Sequence, residues 1–81
     1  MLDKEKILNE LSKFNITEND FSCNEGLKPD AYIIENLDGY WKFFYNDEKG
    51  NQTDEKFFKD KKEAISFLIK TLKEEFNCYN N

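Results

Sequence analysis

The 81-residue chain contains no histidine and no arginine, only two cysteines, one proline and three glycines, and no long apolar run. Without histidine the commonest general base is missing, and nucleophilic attack by Ser12, Ser22, Ser66 or either cysteine would need another base. None is suggested. Acid pairs such as Asp47–Glu48 and Asp54–Glu55 read more plainly as loop charge facing water, so no enzyme is expected. Cys23 and Cys78 lie 55 positions apart with no C-x-x-C partner near either, so no zinc pattern exists and neither metal nor cofactor is expected. A disulfide between them stays open, although a cytosolic pool would keep both reduced. Gly26, Gly39 and Gly50 stand alone, without the clustering that lets a backbone cradle phosphate. All twelve basic residues are lysine, and the missing arginine is the side chain that reads guanine and clamps phosphate, so direct nucleic-acid binding is disfavoured. No stretch approaches the ~18 apolar residues of a membrane span. The start Met1-Leu2-Asp3-Lys4-Glu5-Lys6 lacks a basic region followed by an apolar one, which makes the cytoplasm the default compartment.

What is present is charge and aromatic surface. Residues 1–81 make one domain, and a chain of this length buries roughly 60% of its unfolded surface. Charged residues are 36% of the chain and its formal net charge is −5. The imbalance is uneven: Glu18, Asp20 and Glu25 sit in a lysine-free stretch, while the last twenty-one residues carry four lysines against three acids. Solvated surface charge is the plain reading. The sharper one is a lure for a basic partner, since complementary charge speeds encounter.

Ile7, Leu8, Leu11 and Phe14 recur at helical spacing behind Asp3, a good N-cap, which predicts a helix over residues 4–14 stopped by Asn15. Thr17 to Asp30 reads as a long ordered loop anchored by Ile16, Phe21 and Leu27, with room for one helical turn capped by Thr17. Pro29 pushes Lys28 towards extended geometry and delivers the chain into a strand, Ala31 to Glu35. After the Asp38–Gly39 turn comes Tyr40-Trp41-Lys42-Phe43-Phe44-Tyr45, in which five of six residues are aromatic. A two-residue turn pairs Glu35 with Lys42, and a four-residue loop pairs Glu35 with Tyr40. Either register puts Tyr32, Ile34, Trp41, Phe43 and Tyr45 on one face, expected to be core, and Ile33, Glu35, Tyr40, Lys42 and Phe44 on a more solvent-facing one. For Tyr40 and Phe44 two readings stay open: cover by the first helix or the long loop, or exposure beside Lys42 as a recognition patch. Asn46 to Asn51 makes the next turn, and Glu55 to Phe58 is a short third strand. Asp60 with Glu63 has capping-box spacing and opens a helix striped by Ala64, Ile65, Leu68, Leu72 and Phe76. Asn77 to Asn81 should fray, apart from any contact made by Tyr79.

Gly26-Leu27-Lys28-Pro29-Asp30-Ala31-Tyr32-Ile33-Ile34-Glu35, then Trp41-Lys42-Phe43-Phe44-Tyr45, then Glu48-Lys49-Gly50, a lone Phe and Glu63-Ala64 at a helix start together resemble a family of small bacterial immunity proteins. These accompany polymorphic and contact-dependent growth-inhibition toxins. The similarity covers residues 20 to 70. Family members typically show a Gly-Leu-Pro turn, an Ala-Tyr strand, Trp-x-Val-Tyr-Tyr, Glu-Arg-Gly and a Glu-Ala-Cys helix start. Here a lysine precedes Pro29, Ile33 and Ile65 stand where cysteines are common, Lys49 replaces the arginine, and one residue is inserted before Glu48.

The resemblance implies a cytosolic protein that binds the toxic C-terminal domain of a cognate effector and blocks its active site or docking surface. Many such toxins are nucleases with basic clefts, which the acidity of this chain suits. Candidate contacts are Glu18, Asp20 and Glu25 in the long loop, Asp47 and Glu48 in the second turn, and Tyr40, Lys42 and Phe44 on the outer sheet face. The expected fold is α+β: an N-terminal helix, a three-stranded antiparallel β-meander, and a C-terminal helix packed on one sheet face. The expected partner is the toxin domain, with neither nucleic acid nor membrane, and the free protein is expected to be a monomer. The alternative is a small acidic adaptor or regulatory module of phage or mobile-element origin.

Overall fold

The computed structural model describes residues 3–77; Met1, Leu2 and Cys78–Asn81, with the expectations of fraying, of a Tyr79 contact and of Cys78 pairing, lie outside the described residues. Helix α1 spans Asp3–Glu10 and turns Ile7 fully inward, with Leu11 beside it. It ends four residues earlier than the periodicity suggests. The Ser12 hydroxyl donates to the Asn9 carbonyl at 3.2 Å, and the Phe14 N–H donates to the Leu11 carbonyl at 3.0 Å, so Ser12–Phe14 winds into a tighter 3₁₀ turn. Asn15, at φ +58°, then stops it in the left-handed conformation that asparagine tolerates.

The predicted three-stranded antiparallel meander is corrected to a four-stranded mixed sheet in the order β1-β2-β3-β4. Within the stretch whose composition predicts a loop lies strand β1, Phe21–Cys23, which pairs in parallel with β2, Ala31–Leu37. Three residues among polar neighbours are too few to show a period of two. A crossover of residues 24–30 joins the two strands, bent by positive φ at Asn24, Gly26 and Asp30. Strand β3 is Tyr40–Asn46, and its register with β2 sets Glu35 opposite Lys42 and Leu37 opposite Tyr40, the two-residue turn. Gly39 supplies the turn's φ of +91°.

The third strand of the prediction is longer than Glu55 to Phe58: β4 runs Gln52–Phe58. Its first residues are polar and exposed, so burial leaves no trace of them in the sequence, but their backbone pairs with Tyr45 and Asn46. One extra residue bulges β4 opposite Phe44, with Asp54 at φ +57°.

Helix α2, Lys61–Asn77, starts where the Asp60 carboxylate accepts the Glu63 N–H at 2.8 Å. Its stripe of Ala64, Leu68 and Leu72 is fully buried against the inner sheet face, where Phe43 meets Phe67 edge-on at 4.8 Å and Tyr32 stacks on Phe43 at 5.7 Å. This core face is the one the alternation marks. The opposite face is not simply solvent-facing, a second correction: Ile33 and Phe44 are fully buried with Ala31 in a small cluster of their own. The 24–30 crossover lies over them, tied down by the Ser22 hydroxyl donating to the Gly26 carbonyl at 2.7 Å and the Asn46 amide to the Lys28 carbonyl at 2.8 Å. Among the described residues no helix is long and apolar enough to cross a membrane.

Candidate protein-binding face

Adjacent residues on a strand point to opposite faces, so the doublet Phe57-Phe58 cannot bury both rings on one side. Phe58 turns inward to Phe67, with centroids 5.3 Å apart. Phe57 turns outward, 58% exposed, and meets Tyr40, 42% exposed, at 5.7 Å with a 56° tilt. Leu37, opposite Tyr40, extends this apolar surface along the sheet. The crossover covers only the other end of the outer face, which leaves the pair open to solvent. Phe57 is not among the contacts the sequence singles out, and the signal for it is the doublet, which forces one of two adjacent rings outward.

Lys42 lies between this pair and the buried cluster. Its ammonium sits 4.9 Å above the Phe44 ring, 3.2 Å from the Glu55 carboxylate and 3.3 Å from the Gln52 side-chain oxygen. Lys42 therefore roofs Phe44 and presents little free charge. Phe44, a candidate contact, is buried beneath it and is not an exposed anchor.

The candidate acids of the second turn, Asp47 and Glu48, are held apart from Tyr40. Strand β3 separates Tyr40 from the Asp47 turn by about 20 Å at 3.3–3.4 Å per residue. Glu18 and Glu25 share Lys4, at 3.5 and 3.3 Å, and Glu25 also pairs with Lys28 at 3.6 Å. Burial pushes the Glu25 carboxyl up, but the hydrogen bond and charge of Lys4, with Lys28 and the Cys23 N–H, outweigh it and hold Glu25 below its ordinary value. Lys4 in turn is raised, first by its hydrogen bond to Glu25. Lys28 donates to the Glu18 and Phe21 carbonyls at 2.6 and 3.1 Å, so this cluster pins the crossover and β1 to α1. Asp20 closes its own turn by accepting the Thr17 N–H at 2.8 Å. It also lines a small cavity of about 270 Å³ with Asp30, Tyr32, Tyr45, Glu75 and Phe76. There burial, then the nearby Asp30 carboxylate, raises the Tyr45 phenol. Asp47 accepts N–H donors from Lys49 and Asn51 at 2.9 and 2.8 Å, and its carboxyl is held below the usual range by the Asn51 backbone first. Of the five candidate acids, Glu48 is exposed beside Asp47 and makes no ion pair among the described residues.

Among the described residues no group of three or more histidine, cysteine, aspartate or glutamate side chains is arranged to hold a metal ion. Cys23 is buried, and burial, then Asp3 and Glu25, push its thiol up to about 11. No family model, curated protein or solved structure matches the chain.

Proposed function

We propose that the protein is an immunity protein that binds the C-terminal toxin domain of a cognate effector, a nuclease, and neutralises it by steric and electrostatic blocking in the cytoplasm. The observation that carries this reading is the Tyr40–Phe57 pair. A chain that packs most of its aromatic rings leaves these two together in water, beside Leu37 and the charges of Glu35, Lys42 and Glu55. Exposed aromatics next to charge form the kind of centre on which a few anchors carry most of the binding energy. The resemblance to immunity proteins and the formal charge of −5 support a toxin with a basic surface as the partner. The free protein is a monomer in this reading. Its long edge strand, β4, is broken by the Asp54 bulge and carries Lys56 on the helix side of the sheet, two devices that discourage edge pairing.

The test is co-expression with the protein encoded immediately upstream, scoring survival and co-purification of its C-terminal domain. Wild type should rescue, and a Tyr40→Ser/Phe57→Ser variant should lose both rescue and complex while keeping its circular dichroism. Absence of rescue by the wild type would sink the immunity reading. Rescue undiminished in the double variant would move the interface to the candidate acids.

A further inference from the structure

Helices α1 and α2 lie side by side on the inner sheet face, and between them runs an open groove of about 910 Å³. Its floor is apolar, made by the half-buried Ile65 and Ile69 of α2. Its walls are cationic: Lys6 from α1 and Lys61, Lys62, Lys70 and Lys73 from α2. Three carboxylates also line it, and one of them, Asp3, is engaged by Lys61 at 3.3 Å. Lys6, Lys62, Lys70 and Lys73 have no ion-pair partner among the described residues. The groove thus gathers five of the twelve lysines, leaving seven against fourteen acids on the rest of the chain. An acidic molecule carries a cationic, apolar-floored channel on the side away from its exposed aromatic pair.

We infer that this groove docks an amphipathic helical segment of a second protein, with apolar side chains on the isoleucine floor and acidic side chains against the lysine walls. From Lys61 to Lys73 the groove is about 18 Å long at 1.5 Å per residue, the length of a three-turn helix. Four lysines without ion pairs beside a floor partly open to water leave both charge and apolar area to be matched, and an acidic amphipathic helix matches both. A flat anionic membrane fits less well, because the isoleucines are half-buried along a channel between the helices. A nucleic acid fits less well again, because the groove's lining holds neither an arginine to clamp a phosphate nor an aromatic ring to stack a base. The inference stands independently of the toxin reading, which concerns the opposite face.

The experiment uses the full chain and a fluorescein-labelled peptide of about three turns. Leucines repeat in it at alternating three- and four-residue spacing, with glutamates between them, and a second peptide carries lysine in place of each glutamate. Anisotropy titrations should show saturable binding of the acidic peptide alone, weakening as salt is added. The Lys62→Glu/Lys70→Glu/Lys73→Glu variant should weaken it about tenfold, as three exposed attractions become repulsions. A control with the same change in net charge elsewhere, Lys49→Glu/Lys56→Glu/Lys59→Glu, should stay within about twofold. Amide shifts on titration should centre on Ile65 and Ile69. The inference is overturned by no saturation at millimolar peptide, by equal binding of the lysine peptide, by equal loss in the control variant, or by capture of phosphatidylglycerol vesicles in place of the peptide.

Discussion

Phe44 and Phe57 share one face of the sheet and have opposite fates, and the difference lies in what sits above each ring. Phe44 is sealed by Lys42 and the crossover, so Phe44→Ala should leave a cavity and cost about 3–5 kcal/mol in urea denaturation. Phe57→Ser should change stability by no more than about 0.5 kcal/mol while weakening capture of the toxin domain. Alternation along a strand revealed which residues share the outer face; it could not reveal that a distant loop covers half of it, because that depends on where the crossover lands. The acids show the same limit. Glu18, Glu25 and Asp47 read in the sequence as free loop charge, but each closes a turn or an ion pair, and only tertiary contacts distinguish the two. Cys23 gives a pH signature. An unfolded chain ionises the thiol near its ordinary 9.0, whereas the folded one retains the proton until about 11. Its contribution to stability is complete below the ordinary value and declines as pH rises towards 11, since the unfolded state then binds fewer protons. Urea midpoints measured between about pH 8 and pH 10.5 should fall more steeply for the wild type than for Cys23→Ala.

Elements with a strong pattern of their own were legible in the sequence, and those held by neighbours were not. Helix α2 is of the first kind: its apolar stripe and its Asp60 cap both appear in the structure as the spacing predicts. Removing that cap with Asp60→Ala should lower stability by about 1 kcal/mol, seen as a shift in the thermal midpoint. Strand β4 is of the second kind, since its polar half pairs through backbone alone and changes register at the bulge. At Asp54, with φ of +57°, Asp54→Gly should be neutral or stabilising and Asp54→Val should cost about 1–2 kcal/mol, compared by chemical denaturation. The turn before β4 depends on the ionised Asp47 carboxylate. Because that group sits below its ordinary value in the folded state, its contribution is present above the usual carboxylate range and is lost as pH falls through the depressed value. The Asn51 amide resonance should therefore report local loosening in acid, and Asp47→Asn should show the same change at neutral pH.

Across the whole molecule, the residue pattern predicts an α+β domain with a helix on one sheet face but not the partition of its charge. Counting lysines along the chain shows a near-neutral last helix, yet the cationic groove forms only when α1 supplies the second wall. Binding at the aromatic face and at the groove should respond to salt through different charges, and the Lys62→Glu/Lys70→Glu/Lys73→Glu variant should weaken only the second. The sheet is also unequal from one edge to the other. Strands β2 and β3 are joined along seven residue pairs, whereas β1 is held to β2 along three. Deuterium uptake should therefore proceed as a gradient across a single sheet. The Asn24 and Tyr32 amides, which bridge β1 and β2, should exchange through a cheap local opening that lifts the crossover as a flap. Amides between β2 and β3 should wait for global unfolding. During each such opening Ile33 and Phe44 would meet water while the helix-packed core stayed shut, so the outer cluster is where this protein would first become sticky.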